Sequence, residues 1–215
     1  MNYKTFTLLL MLGLVLPGCS KMYYSALDSV GIPKREIMVH RVEKARDTQE
    51  ETKEQFKTAL EQFTAVTNFS GGDLEKVYNK LNDEYLASVD QAKEVNKRIK
   101  DIEDVSDALF TEWEQELEQY SSASLKRNSQ RQLNDTRQQY KQLIAAMKRA
   151  EQKIDPVLAI FKDQVLYLKH NLNAQAISSL KGELNAIESD VSVLISAMEQ
   201  SINEANSFIK TMEKK

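Results

Sequence analysis

Cysteine, histidine, glycine and proline are all scarce in this chain, and each scarcity closes off a class of structure or chemistry. Cys19 is the only cysteine among 215 residues, so one copy cannot form a disulfide within itself. His40 and His170 are the only histidines, and neither has a second histidine or a cysteine at metal-ligand spacing. Six glycines and three prolines are too few for the turns of a β-sandwich, a barrel or a doubly wound sheet. The sequence contains no G-x-S-x-G, no G-x-G-x-x-G and no G-x-x-x-x-G-K-[ST], so hydrolase elbows and nucleotide loops are missing. Carboxylates at i, i+4, such as Glu112/Glu116 and Glu114/Glu118, come without the E-x-x-H motifs of a di-metal bundle site, and read as a solvated acidic face. A formal charge of −3 does not by itself call for nucleic acid. The basic stretch 126–153 has only Tyr140 as an interleaved aromatic, so no nucleic-acid partner is expected. No metal, no cofactor and no catalytic residue is expected from these residues.

What is present begins with an address. Lys4 precedes an apolar run from Phe6 to Leu16, too short to span a bilayer but of the build of a secretory signal peptide. Leu16-Pro17-Gly18-Cys19 then resembles the lipobox of bacterial lipoproteins, with Leu16 and Gly18 at the positions a signal peptidase reads. That resemblance implies removal of residues 1–18 and acylation of Cys19, with several chains giving stable anchoring. Ser20 follows the cysteine where an aspartate would retain a lipoprotein at the inner membrane. The sorting rule therefore points to the periplasmic face of the outer membrane. Residues 19–33 form a short membrane-proximal segment. Tyr23, Leu27 and Val30 are spaced for a helical turn or two, and Gly31 and Pro33 mark a turn.

The remainder, 34–215, reads as an all-α, elongated antiparallel bundle or coiled coil of about four long helices, near 34–69, 73–120, 125–171 and 174–213. The first seam runs Met38, Val42, Ala45, Gln49, Thr52, Phe56, Ala59, Phe63 and Val66, a 4-3 rhythm facing other helices. Gln49 and Thr52 put polar groups into it, as a solvated stretch or a register device. The second runs from Leu74 to Tyr120 through Ser88, Ser106 and Trp113; the third from Leu133 to Leu168 through Tyr140. Pro156 lies inside the third, where a kink is expected in preference to a break. Asp155 capping a new helix with Pro156 at its first position is the alternative. The fourth begins at Ile177 and Leu180 and runs to Met212, broken only at Ser201. Helices of 45 residues would be roughly 68 Å long, which excludes a round domain. Ser70 to Asp73, Ser121 to Ser124 and Asn171 to Asn173 supply the turns and caps.

Charge selects one hairpin. Residues 101–119 carry eight acids and no base, and 126–153 carry eight bases against Asp135 and Glu151. Both blocks oppose their helix dipoles, but folding the second helix onto the third sets opposite charges side by side.

The block Val30-Gly31-Ile32-Pro33-Lys34-Arg35-Glu36-Ile37-Met38-Val39, followed by Arg41-Val42-Glu43 and Ala59-Leu60-Glu61-Gln62-Phe63, resembles an uncharacterised family of Gram-negative lipoproteins catalogued as a domain of unknown function. The resemblance extends to Ala176-Ile177-Ser178-Ser179-Leu180 and Ser201-Ile202-Asn203-Glu204-Ala205. It implies the lipoprotein address and the helical fold, and it carries over no activity. The expectation for function is a non-enzymatic protein held to the membrane through lipidated Cys19, a spacer or adaptor that meets envelope proteins or further copies of itself. The alternative is a helical-bundle binding module for a small ligand or lipid, with Gln49, Thr52, Ser88 and Ser106 lining a cleft.

Overall fold

The computed structural model describes residues 31–69 and 71–213. The signal peptide, Leu16, Gly18, Cys19, Ser20, the Tyr23–Val30 segment and Ser70 lie outside the described residues. Four long helices make up the fold: α1 (Lys34–Thr67), α2 (Leu74–Leu117), α3 (Ala123–His170) and α4 (Ala174–Glu213). Each packs on two neighbours in the cyclic order α1, α2, α3, α4 and back to α1. Side-chain pairs fix neighbours as antiparallel. Lys34 Nζ meets Glu112 Oε1 at 2.8 Å while Gln55 Nε2 donates to Glu84 Oε2 at 2.7 Å, so the start of α1 lies beside the end of α2. Arg35 donates to the Met212 carbonyl and Arg46 to Asn206, which sets α1 against α4 in the same sense.

Local sequence explains where each helix starts. Gly31 takes φ +81° in the entry turn, a conformation that suits glycine, and Pro33 leads into α1, its carbonyl accepting from Glu36 N and Ile37 N. Asp73, Ser122 and Asn173 each accept from the backbone N–H three residues on, at 3.3, 3.4 and 3.0 Å, and so cap α2, α3 and α4.

The stops differ from the sequence expectation in detail. Helix α2 ends at Leu117, not Tyr120, because Glu118 N and Gln119 N bond back to Gln115 O and Glu116 O and tighten the last turn. Tyr120 is therefore exposed in the turn and forms no part of the seam. Helix α1 stops at Thr67, two residues short, and α3 begins at Ala123, two residues early. Pro156 is accommodated inside α3, which continues unbroken through it, so Asp155 caps no new helix.

All nine seam residues of α1 are buried, Gln49 and Thr52 among them. Neither polar residue is solvated: Gln49 is 1% exposed and Thr52 is fully buried. Ser201, the break in the last seam, is likewise fully buried. The rhythm is thus geometrically unbroken even where its chemistry changes, because helical phase alone decides which face turns inward. Phe56 and Phe161 stack at 6.2 Å across the middle, closing the core between the diagonal helices α1 and α3. One seam assignment is off by a residue. Ala176, not Ile177, enters the core at the start of α4, and Ile177 is left half-buried.

Candidate functional site

The predicted α2–α3 hairpin is formed with the expected charge register. Lys126 pairs with Glu118 at 2.9 Å, Arg137 with Glu114 at 2.6 Å, and Lys148 with Glu103. The Arg137 guanidinium beside Glu114 holds its carboxyl below the ordinary carboxylate value, and the Glu103 carboxylate raises the Lys148 ammonium. Arg137 also lies 5.2 Å over the Phe110 ring, which meets Tyr140 edge-on at 5.5 Å. Burial pushes the Tyr140 phenol up. Trp113 is half-buried and donates to Ser129 Oγ at 2.8 Å, a packing role with its one polar atom satisfied.

Three of the four polar seam residues bond within their own helices, and Thr52 also reaches Gln91 Oε1 on α2 at 3.3 Å. Thr52, Ser88 and Ser106 turn their hydroxyls back to the carbonyls of Thr48, Glu84 and Glu103 on their own helices. Gln49 Nε2 and Oε1 and Ser201 Oγ are buried without a hydrogen-bond partner among the described residues. His40 is exposed near Glu43 at 3.7 Å, and His170 is exposed as the last residue of α3. Among the described residues no three His, Cys, Asp or Glu side chains cluster to hold a metal, and no helix is long and apolar enough to cross a membrane.

Among the described residues, recesses lie at both ends of the bundle, and smaller grooves run along its sides between α2 and α3 and between α3 and α4. At the end where α1 begins, a recess of about 530 Å³ is lined by Ala123, Lys126, Arg127, Gln130 and Arg131 at the start of α3. At the opposite end, the α1–α2 turn and the α3–α4 turn frame a cleft of about 590 Å³. Its walls include Phe69 and Leu74 from one side, and Leu172, Ile177, Ser178 and Lys181 from the other. Gly72, at φ +115°, lets the α1–α2 turn close without a side chain in its bend. Ile177 reaches this cleft because of the one-residue shift at the start of α4. Leu172 is 41% exposed although it is a leucine inside a turn. Sequence reasoning did not select this cleft. The usable signal was apolar residues placed in turns, Phe69 before the two glycines and Leu172 between two asparagines.

The described residues define an all-helical, up-and-down four-helix bundle with a recess at each end. The chain belongs to the family described as "Protein of unknown function (DUF2959)", which matches residues 23–212. Comparison with curated proteins and with solved structures gives no match.

Proposed function

We propose that this protein is a non-enzymatic, lipid-anchored spacer or adaptor on the periplasmic face of the outer membrane, attached through Cys19. The observation that carries the reading is the position of the chain entry. Residue 33 leads into the bundle beside Glu112 and Met212, at the end opposite the α1–α2 and α3–α4 turns. An anchor at Cys19 would attach the bundle by the end opposite the cleft. Helix α1, with 34 residues, accounts for roughly 50 Å of separation at 1.5 Å per residue. The chain from Cys19 to Gly31 reaches at most roughly 40 Å when fully extended, so the near end of the bundle stays close to the membrane.

A filled core supports a mechanical role over an interior ligand chamber. Phe56, Phe63, Phe161, Met147 and Leu143 are all essentially inaccessible. The partner is an envelope protein or a second copy of this chain.

The experiment is in-cell crosslinking of the tagged protein followed by mass spectrometry, with Cys19→Ala as the comparison and acyl labelling of both forms. The expected result is label on the native form alone and a reproducible envelope partner that is lost in Cys19→Ala. Absence of label on the native form overturns the anchor. A labelled protein with neither a partner nor self-crosslinks overturns the adaptor.

A further inference from the structure

We infer that the cleft between the α1–α2 and α3–α4 turns binds an anionic amphiphile, a single apolar chain ending in a carboxylate. This goes beyond the adaptor reading and does not depend on acylation of Cys19. Phe69, Leu74, Leu172 and Ile177, drawn from both sides of the cleft, supply the large apolar side chains of a lining that is otherwise mostly polar. Its volume of about 590 Å³ lies within the range of roughly 300–1,000 Å³ in which small-molecule sites fall.

Four polar side chains line the cleft, and two of them are engaged: Thr67 donates to Thr64 O at 2.9 Å and Asn173 Oδ1 accepts from Ala176 N at 3.0 Å. Ser178 and Lys181 both line the cleft from α4. They are three residues apart, so they share one helix face a single turn from each other. A hydroxyl donor and an ammonium side by side suit an oxyanion. Lys181 forms no ion pair among the described residues. No carboxylate is among the described residues that line the cleft, so nothing there compensates the lysine or would accept a cationic head group. Phe69 and Leu172 lie in the turns, Leu74 and Ile177 in the first turns of α2 and α4, and none of the four belongs to the bundle core. Ile177 stands one residue out of the buried seam, and Leu172 keeps 41% of its surface in solvent. An apolar chain seated against these residues would remove that surface from water while its head group meets Lys181.

The test uses the full-length chain carrying Cys19→Ala, so that no covalent acyl chain competes. Decanoate, decyl phosphate, decanol and decyltrimethylammonium are titrated below their micelle concentrations by isothermal calorimetry, with backbone amide shifts recorded in parallel. The expected result is saturable 1:1 binding of decanoate, with shifts confined to residues near 67–74 and 172–181. Decanol and decyltrimethylammonium should bind at least tenfold more weakly. Lys181→Glu and Leu172→Asp alter exposed side chains, so both should retain native circular dichroism while weakening decanoate at least tenfold. Equal binding of decanol or of the cation overturns the inference, as do shifts centred on Arg127 and Arg131 or unchanged affinity in both variants. Binding of decyl phosphate without decanoate overturns the carboxylate assignment and makes the head group a phosphate.

Discussion

Replacing Gln49 with leucine should stabilise this protein, although glutamine occupies a position where every neighbour along the seam is well packed. The side chain is 1% exposed, and neither its amide nitrogen nor its oxygen has a hydrogen-bond partner among the described residues. Leaving a buried polar group unsatisfied costs roughly 1–3 kcal/mol. Leucine is close to glutamine in size and brings no polar atom, so Gln49→Leu removes that cost without opening a cavity. We expect a gain of about 2 kcal/mol, which corresponds to a melting temperature higher by roughly 4–8 °C for a domain of this size. Thr52→Val is the contrasting variant. The Thr52 hydroxyl donates to Thr48 O at 2.7 Å, so its loss should gain much less. Urea unfolding followed by far-UV circular dichroism measures both, and an unchanged slope against urea shows that the variants share one folded state. If Gln49→Leu lowered stability by about 1 kcal/mol or more, the amide would have to be engaged in the folded protein, and the reasoning would be refuted.

Three other expectations concern packing, the helix backbone and charge. Phe161→Ala empties the stack with Phe56 and should cost roughly 3–5 kcal/mol by chemical denaturation; a loss under about 1 kcal/mol would mean the core collapses around the gap. Pro156 lies inside α3 with an exposed side chain, so Pro156→Ala restores a backbone donor and should stabilise by about 2 kcal/mol, and a destabilised variant would contradict this. The Glu114 carboxyl is lowered in the fold, so its contribution is present above the ordinary carboxylate pKa and is lost as pH falls through the lowered value; the Lys148 ammonium is raised, so its contribution is present below the ordinary lysine value and is lost as pH rises through the raised one. Carboxyl titration by NMR should show Glu114 returning to the ordinary range in Arg137→Ala, and reversing Glu103, Glu114 and Glu118 to lysine should depress the melting temperature more at low salt than at high salt. An unshifted Glu114, or equal losses at both salts, would count against the hairpin electrostatics.

Much of the fold was legible because a long amphipathic helix repeats its message every turn. The α1 seam from Met38 to Val66 needed no tertiary information, since each residue independently reports the same face. The hairpin register was legible for a related reason: the acids of 101–119 and the bases of 126–153 are complementary only when α2 and α3 run side by side. Helix ends were less legible. Tyr120 satisfies the seam spacing, yet a tightened last turn leaves it outside α2, and spacing carries no information about when a helix stops.

The candidate cleft was scarcely legible at all. Ala176 and Ile177 stand four and three residues before Leu180, so periodicity admits either into the core. Packing at the end of the bundle places the alanine inside and leaves the isoleucine beside Phe69 and Leu74. The sequence by itself determined that there are four long helices, which faces they bury, and that α2 lies along α3. Only the tertiary structure decided that α1 and α4 close the ring, that Gln49 and Ser201 are buried rather than wet, and that the two turns meet around a half-apolar cleft far from the chain entry. The physical reason is one of range: helical phase is set by neighbours three and four residues away, whereas a surface shared by residues 69 and 172 exists only after the chain has folded back on itself three times.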